Sequence, residues 1–245
     1  MPHSLFISDL HLSEAHSPGA ELFRHFARDI APQAEVLYIL GDLFEYWAGD
    51  DDLADPFHAS VAGYLRQLGA QGTRIFIMHG NRDFLMDEQL AVACHAALLP
   101  DPALLDLYGN PTLLTHGDAL CTDDAVYQQF RTLVRGASWR DDFLALPLSE
   151  RKAQIEHMRC QSELAKRGKA MNVMDVNEEA VHALLRQYRY PRLIHGHTHR
   201  PAQHLHQVDG HQCERWVLGD WDSGAAQILR ADCAGLHWQT LTVQR

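Results

Sequence analysis

Five short apolar runs, each followed at once by a polar cluster, constrain the fold of this 245-residue chain more than any other feature. Four to six β-favouring residues followed by Gly or Asp are typical of a buried strand that ends at a loop. The runs and their clusters are Leu5-Phe6-Ile7 before Ser8-Asp9-Leu10-His11, Val36 to Leu40 before Gly41-Asp42, Arg74 to Met78 before His79-Gly80-Asn81-Arg82-Asp83, Thr112 to Leu114 before His116-Gly117-Asp118, and Arg192 to Ile194 before His195-Gly196-His197-Thr198-His199. The pattern predicts five strands whose carboxyl ends carry metal-capable side chains.

Helix-like stretches separate these runs. Three of them place apolar residues at three- and four-residue spacing: 21–30, 57–68 and 123–134. Asn177, followed by two glutamates, is a good helix N-cap. After His199, consecutive antiparallel strands are predicted over 216–218, 226–229 and 237–243. The alternation favours an α/β sandwich that forms one domain over residues 1–245.

Residues from about 123 to 170 interrupt the alternation with a long insertion between two strands. Large apolar residues are dense in its middle: Trp139, Phe143, Leu144, Leu146 and Leu148. A helix is predicted to begin at Ser149, with a basic end near residue 166. An excursion this long is usually functional. The sequence therefore predicts a helical lid, and the alternative is a small cap packed on its own apolar residues.

Bulk properties exclude several classes of protein. The formal net charge of −11 argues against nonspecific nucleic-acid binding, which needs a basic surface. No apolar run reaches the ~18–20 residues that span a bilayer, and the N-terminus resembles no cleaved signal peptide. Five scattered cysteines without a C-x-x-C pair suit a reducing cytosol. The oligomeric state stays open, and a monomer is the simplest expectation.

Metal-capable side chains follow all five predicted strands. They are Asp9, His11, Asp42, Asn81, His116, His197 and His199. In open α/β sheets, ligands collect outside the carboxyl ends of strands. Carboxylate, imidazole and amide oxygen suit divalent Mn, Fe or Zn. Each motif alone is common by chance, but the ordered set indicates a metal site, and seven ligands fit two ions that share one aspartate.

The five motifs resemble those of the calcineurin-like metallophosphoesterases, which read D-x-H, G-D, G-N-[H/R]-[D/E], H-G and G-H-x-H. The resemblance extends over nearly the whole chain and implies a β-sandwich flanked by helices in αββα layers. It implies that one ion is held by Asp9, His11, Asp42 and His199, and the other by Asp42, Asn81, His116 and His197. His195 lies one position outside the pattern, and we expect it to have a structural role.

Longer segments, such as residues 41–47 and 194–201, resemble the branch of this family that hydrolyses the pyrophosphate bond of UDP-2,3-diacylglucosamine in lipid A biosynthesis. The branch implies Mn(II), an activated water that attacks the uridine-side phosphorus, and the products UMP and diacylglucosamine 1-phosphate. It also implies peripheral association with the cytoplasmic side of the bacterial inner membrane. From the apolar composition of the insertion, we expect the lid to hold the acyl chains at Phe143 and Leu146. The implied substrate contacts are Asn81, Arg82, Asp124, Ser162, Lys166, Lys169 and His197.

Arg82 stands where many phosphomonoesterases of the superfamily have a histidine that protonates the leaving group. Arginine keeps its proton near neutral pH, but its fork of donors can clamp phosphate oxygens. The sequence thus predicts cleavage of a bond whose leaving group needs little protonation, with Arg82, Asn81 and His197 as catalytic residues that stabilise negative charge. The alternative for Arg82 is a surface ion pair with Asp83, worth at most ~1 kcal/mol.

Two other functions stay open at the level of sequence. A related phosphoesterase that acts on soluble nucleotides or phosphodiesters would share every metal ligand, although it would not need the apolar insertion. A non-catalytic scaffold that uses the fold for protein binding would usually have lost ligands. Metal-dependent hydrolysis and a comparison of acylated with unacylated UDP-sugars distinguish these alternatives.

Overall fold

The computed structural model describes residues 1–15, 17–166, 175–221 and 225–242. The strands are β1 Ser4–Ile7, β2 Val36–Leu40, β3 Arg74–Met78, β4 Ala96–Leu99, β5 Ala103–Leu107, β6 Asn110–Thr115, β7 Arg192–His195, β8 Ala202–Val208, β9 His211–Val217, β10 Ala225–Asp232 and β11 Gly235–Thr242. The α-helices are α1 Ser17–His25, α2 Pro56–Ala70, α3 Glu88–Ala93, α4 Ala125–Val134, α5 Ala137–Leu144, α6 Leu148–Lys166 and α7 Glu178–Gln187.

The strands form two mixed sheets. The first has the order β11-β10-β1-β2-β3-β4, in which β1 to β4 are parallel and β10 and β11 are antiparallel. The second has the order β5-β6-β7-β9-β8, in which β6, β7 and β9 are parallel. The strands with polar clusters at their ends are therefore neighbours: β1, β2 and β3 in one sheet, β6 and β7 in the other.

Three apolar clusters define the layers. Phe6, Leu40 and Met78 of the first sheet pack against Leu114 and Ile194 of the second, so the two sheets meet face to face. The outer face of the first sheet packs against the helices α1, α2 and α3. The outer face of the second sheet packs against α7. This αββα arrangement confirms the predicted fold.

Burial explains which strands the sequence revealed. A strand covered on both faces is apolar at nearly every position, as in the Val-Leu-Tyr-Ile-Leu of β2. All five predicted strands are present within about two residues of the predicted bounds. The sequence missed β4, β5 and β8, because each has exposed positions that break the apolar pattern. The helix predicted over 21–30 is α-helical to His25 and continues as a π-helical turn.

The insertion forms three helices, α4, α5 and α6, between β6 and β7. Phe143 is buried and its ring stacks on Trp139 at a centroid distance of 4.6 Å. Both side chains, with Leu144 and Leu146, pack against the main core on the outer face of the first sheet. The apolar middle of the insertion is therefore part of the protein core. None of the described helices is both long and apolar enough to cross a bilayer.

Two basic residues fasten α6 to the loop that follows β2. Arg151 is buried, pairs with Asp51 and donates to the carbonyl of Ala48. The Lys152 ammonium lies 2.6 Å from Oδ1 of the buried Asp52. A buried carboxylate without its cation would be strongly destabilising, so these pairs fix where α6 sits.

Candidate metal centre

The loops after five strands bring the predicted ligands together at one edge of the sandwich. Backbone hydrogen bonds join the loops after β1 and β2, since Asp9 N donates to Gly41 O over 3.1 Å and His11 N donates to Asp42 O over 3.0 Å. The loop after β7 is tied to the same point, because His197 N donates to Asp9 Oδ2 over 2.9 Å. The ligand positions are thus set by backbone as well as by side chains.

The seven side chains fall into two groups with a shared member. In the first group, Nε2 of His199 lies 3.2 Å from Nε2 of His11 and 3.4 Å from Oδ1 of Asp9. In the second group, Oδ1 of Asn81 lies 3.0 Å from Nε2 of His116 and 2.7 Å from Nδ1 of His197. The separations in the first group match the roughly 3.3–3.4 Å expected between donor atoms around one Zn²⁺ ion, and the shorter ones in the second group are hydrogen bonds that a bound ion would replace.

Asp42 lies between the two groups. Its Oδ2 is 3.8 Å from Nε2 of His11, and its Oδ1 is 3.8 Å from Nε2 of His116. One carboxylate therefore presents one oxygen to each group, as a ligand that bridges two ions does.

Acceptors behind the imidazole rings orient three of them. Glu45 Oε2 lies 3.0 Å from Nδ1 of His11, and Asp220 Oδ2 lies 3.0 Å from Nδ1 of His199. The carbonyl oxygen of Leu40 accepts from Nδ1 of His116 over 2.8 Å. An acceptor beside Nδ1 favours a proton on that nitrogen, so Nε2 of each ring can present a lone pair to an ion once it has lost its own proton. Sequence analysis assigned no role to Glu45 or Asp220.

Backbone strain is concentrated at the same residues. A left-handed backbone is uncommon outside glycine and is a mark of functional positions, at a cost of ~1–3 kcal/mol each. Five of the seven have positive φ: Asp9 at 55°, His11 at 47°, Asp42 at 53°, His197 at 69° and His199 at 55°. Contacts with the rest of the structure stabilise this strained backbone, which directs the five side chains into the metal centre.

Two glycines permit close approach between the loops. A Cβ at Gly80 would overlap Oδ1 of Asp42, and a Cβ at Gly196 would overlap Oδ2 of Asp9 and Oγ of Ser8. The glycines of the G-N-R-D and G-H-x-H motifs are therefore required because a carboxylate occupies the space a side chain would fill.

The carboxylates make the centre strongly attractive to cations. Burial alone would lower the pKa of His116, but Asp42, Asp9 and Asp118 outweigh it and raise the pKa to about 9. Burial also opposes protonation of His199, yet the carboxylates of Asp220 and Asp9 raise its pKa to about 10. In the absence of an ion, protons on these two rings supply the positive charge that the carboxylates attract.

One buried atom tests whether a metal fits. Oδ1 of Asp9 is buried, and no contact from the described residues meets the geometry of a hydrogen bond to it, although Nε2 of His199 lies 3.4 Å away. A buried carboxylate oxygen without a partner is costly, and a cation bound to it removes that cost. Oxygen and nitrogen donors in this combination suit Mn, Fe or Zn. The residues present therefore fit the two ions that the motifs imply.

Arg82 lies at the rim of the centre. Its backbone N–H donates to Asp42 Oδ1 over 2.8 Å, and its Nη1 lies 3.5 Å from Oε1 of Glu45. Arg159 of α6 also pairs with Glu45. Asp83 is fully buried and accepts from backbone N–H groups, so the surface ion pair considered for Arg82 and Asp83 is wrong.

The other predicted substrate contacts lie on the insertion. Asp124 caps α4, with its Oδ1 accepting from Tyr127 N over 3.1 Å. Ser162 is exposed on α6. Lys166 is the last residue of α6 and its side chain is outside the described part of the chain, as is all of Lys169.

Asp118 connects α4 to the centre, and sequence analysis gave it no role. Its buried carboxylate accepts from Tyr127 Oη over 2.7 Å and from Arg131 Nε over 2.8 Å, and lies 3.4 Å from Arg135 Nη2. The Tyr127 ring in turn stacks on His197 at a centroid distance of 6.0 Å. The H-G-D motif contains Asp118, but its partners lie in the insertion and follow no motif.

His195 is fully buried behind the loop that carries His197. Its Nδ1 donates to Gly196 O over 2.9 Å, and its Nε2 accepts from Arg215 Nη1 over 3.1 Å. Burial and the Arg215 charge lower the pKa of His195 to about 3. Both ring nitrogens are therefore used within the loop and the second sheet.

Comparison with known proteins agrees with this geometry. Residues 3–201 match the family model of calcineurin-like phosphoesterases. The UDP-2,3-diacylglucosamine hydrolase of Aromatoleum aromaticum is 53% identical over 232 residues, covering 95% of this chain and 94% of that protein. The proteins of the same name from Edwardsiella ictaluri and Chromobacterium violaceum are 47% and 46% identical, covering 96% and 95% of this chain and 90% and 96% of theirs. The chain therefore belongs to the calcineurin-like phosphoesterase family and, within it, to the group of UDP-2,3-diacylglucosamine hydrolases.

Proposed function

We propose that this protein hydrolyses the pyrophosphate bond of UDP-2,3-diacylglucosamine, releasing UMP and 2,3-diacylglucosamine 1-phosphate in lipid A biosynthesis. The observation that carries the proposal is the position of Arg82, whose backbone binds the carboxylate of Asp42 between the two ligand groups. A guanidinium there can clamp phosphate oxygens but cannot protonate a leaving group. The names of the similar hydrolases support the choice of substrate.

The metal ligands are proposed in two sets. Asp9, His11, Asp42 and His199 hold one Mn(II) ion, and Asp42, Asn81, His116 and His197 hold the other. Two divalent ions held there would supply a strong nucleophile at neutral pH, directed at the uridine-side phosphorus, and would neutralise phosphate charge.

Three side chains of the chain act on the substrate itself. Arg82 binds the phosphate oxygens of the substrate. Its guanidinium exchanges the contact with Glu45 for contacts with phosphate, so it faces an anion both without and with substrate. Asn81 and His197, joined through Asn81 Oδ1 over 2.7 Å, lie where charge develops on the phosphate. The departing sugar phosphate is already an anion, so the residues need only stabilise its charge.

The outer face of α4 is proposed to contact the acyl chains. Val126, Phe130 and Leu133 recur at helical spacing and are 74%, 39% and 59% exposed. An adjacent face of the same helix carries Tyr127 and Arg131 against Asp118 at the centre. Exposed apolar side chains grouped on one face mark a site of interaction. A diacylated substrate in the cytoplasmic leaflet would bring apolar chains to this position, which also supports peripheral association with the inner membrane.

The first experiment compares two substrates. We expect Mn²⁺-dependent hydrolysis of UDP-2,3-diacylglucosamine, loss of activity in chelator, and far lower kcat/KM for an unacylated UDP-sugar. Asp42→Asn should abolish turnover of both while the protein stays folded, since the strand before it is untouched. Equal kcat/KM on both substrates would instead assign the protein to soluble nucleotide phosphoesterases. Lack of any metal-dependent hydrolysis would leave the scaffold function.

The second experiment tests the outer face of α4. Val126→Ser together with Phe130→Ser should raise KM for the diacylated substrate and leave kcat/KM for the unacylated one unchanged. Val92→Ser is the matched control, because Val92 is 73% exposed on another helix. An unchanged KM for the lipid substrate in the folded double variant would contradict the assignment of α4.

A further inference from the structure

A second group of metal-capable side chains lies on the outer face of the second sheet. His182 and Glu178 belong to α7, one helical turn apart, and His206 belongs to β8. Nε2 of His182 lies 3.3 Å from Nδ1 of His206 and 3.7 Å from Oε1 of Glu178. Glu178 and His206 line a pocket of about 340 Å³ that His204 and Arg215 also line.

We propose that Glu178, His182 and His206 form a third metal site, separate from the dinuclear centre, that binds a borderline divalent ion such as Zn²⁺. Two imidazoles and a carboxylate are a common ligand set for zinc, with a fourth position left for water. All three ligand atoms lie within 4.8 Å of one another. The site would join α7 to the β8–β9 hairpin.

The distances support a site that is ready for an ion. Zinc–nitrogen bonds of ~2.0–2.1 Å in a tetrahedron place two ligand nitrogens about 3.3–3.4 Å apart. The two ring nitrogens are already 3.3 Å apart. The carboxylate comes from the residue four positions before His182, which a helix places on the same face. Only a small rotation of the exposed Glu178 side chain is needed to close the set.

The proton between the rings shows what an ion would replace. Arg215 Nε donates to Nε2 of His206 over 3.0 Å, so the proton of His206 sits on Nδ1 and is shared with His182. An ion takes the place of that proton, and Nε2 of His206 then becomes the protonated nitrogen. Arg215 turns away from it while keeping its bond of 3.1 Å to His195. The step moves this one proton from Nδ1 to Nε2 of the same ring, so no proton is released to solvent.

A comparable cluster elsewhere in the chain shows the contrast. Asp52, Asp55 and His58 also bring ligand atoms together. The Lys152 ammonium already lies 2.6 Å from Asp52 and 3.5 Å from Asp55, so a cation is built into that cluster. Within the described parts of the chain, no lysine or arginine pairs with Glu178. The guanidinium of Arg215 contacts the outer cluster only at Nε2 of His206 among the described contacts, which leaves Glu178, His182 and Nδ1 of His206 facing the position of an added ion.

The test counts zinc ions per chain. The purified protein is equilibrated with Zn²⁺, separated from unbound metal, and analysed by plasma mass spectrometry. We expect three zinc ions in the wild type, three in the control His204→Ala, and two in His182→Ala combined with His206→Ala. Excess Zn²⁺ should raise the unfolding temperature of the wild type and the control above that of the form with only the dinuclear centre filled. It should not do so for the double variant.

Several results would overturn the site. Two zinc ions in the wild type, or three in the double variant, would mean that His182 and His206 share only a hydrogen bond. Retained Mn²⁺-dependent phosphodiesterase activity in the double variant shows that it is folded. If the double variant does not fold, Glu178→Gln is used instead, because the Glu178 side chain is exposed. This variant should lower the affinity for the third zinc ion at least about tenfold, as measured by Zn²⁺ titration. An unchanged affinity in that variant would also contradict the proposal.

Discussion

Replacing Asp83 by asparagine tests how the loops after β2 and β3 are held in register. The fully buried carboxylate accepts four backbone N–H groups. Oδ1 accepts from Gly80 over 2.8 Å and from Asp42 over 3.3 Å. Oδ2 accepts from Leu43 over 2.8 Å and from Phe44 over 3.3 Å. One side chain therefore fixes the backbone beside a proposed bridging ligand.

The size of the effect follows from these bonds. Asparagine keeps the volume and one oxygen, so two of the four N–H groups lose their acceptor and face an amide donor, whichever way the amide is turned. A buried donor without a partner costs about 1–3 kcal/mol, which gives about 2–6 kcal/mol for Asp83→Asn. For a chain of this length, about 2 °C is lost per kcal/mol. We expect Tm to fall by roughly 4–12 °C.

The assay is calorimetric unfolding at pH 8. Burial and the neighbouring Asp42 raise the pKa of Asp83 to about 6, so the wild-type carboxyl is ionised at that pH. Asp106→Asn is the control, since the exposed Asp106 accepts a single N–H in a turn and its loss should cost within about 0.5 kcal/mol. Activity should fall with stability because the Asp42 loop shifts. A Tm of Asp83→Asn equal to that of the control would refute the reasoning.

Three further predictions concern the centre. Arg82→Ala should lower kcat/KM by about 10²–10³ with metal content unchanged by plasma mass spectrometry, and wild-type activity in Arg82→His would contradict the leaving-group argument. The pKa values of His116 and His199 are raised to about 9 and 10, so both rings lose protons when metal binds. Metal affinity measured by titration calorimetry should therefore fall as pH drops from about 8 to 6, and a pH-independent affinity would contradict this. Burial raises the pKa of Asp118, but His116 and nearby arginines outweigh it and hold that pKa well below its usual range. The ionised carboxylate therefore stabilises the fold fully above about pH 4, and this stabilisation is lost as pH falls through the pKa of Asp118 in the folded protein. Asp118→Asn should therefore cost about 3–5 kcal/mol at pH 7 and give a shallower acid loss in unfolding scans, and an unchanged acid profile would contradict the role of Asp118.

The sequence predicted the elements whose burial is complete on both faces. In β2 and β3 nearly every position is apolar, so no tertiary information was needed to find them. β8 is an edge strand that exposes most of its side chains, and its composition is that of a loop. A pattern of burial can be read from sequence only where burial is continuous.

The metal centre likewise contains residues that the sequence predicted and residues that it could not reveal. The ligands follow the strand ends, and the parallel neighbours of each sheet bring those ends together, so spacing along the chain was enough to group them. Glu45, Asp220 and Asp118 act through contacts with residues far away in sequence. No local pattern distinguishes such a carboxylate from one that is merely solvated.

The insertion shows where composition fails. Phe143 was expected to face an acyl chain, but it packs in the core against Trp139. Val126 and Phe130 face solvent, although they lie in a segment that was noted only for its helical periodicity. Both groups are apolar stripes on amphipathic helices, and only the packing of the helices decides which stripe is covered.

In the proposed function, one face of α4 contacts the metal centre and another contacts the acyl chains of the substrate. A buried ion pair adds little net stability, because desolvation offsets the attraction, but losing one partner is costly. The contacts of Asp118 with Arg131 and Arg135 therefore fix the placement of the helix more than they stabilise the fold. That placement holds Tyr127 against His197 and, on an adjacent face, fixes the exposed apolar residues relative to the proposed metal ligands. A substrate whose chains bind one face of α4 is thus held at a set distance from the groups that act on its phosphates, and positioning of this kind is a large part of what an enzyme contributes to rate.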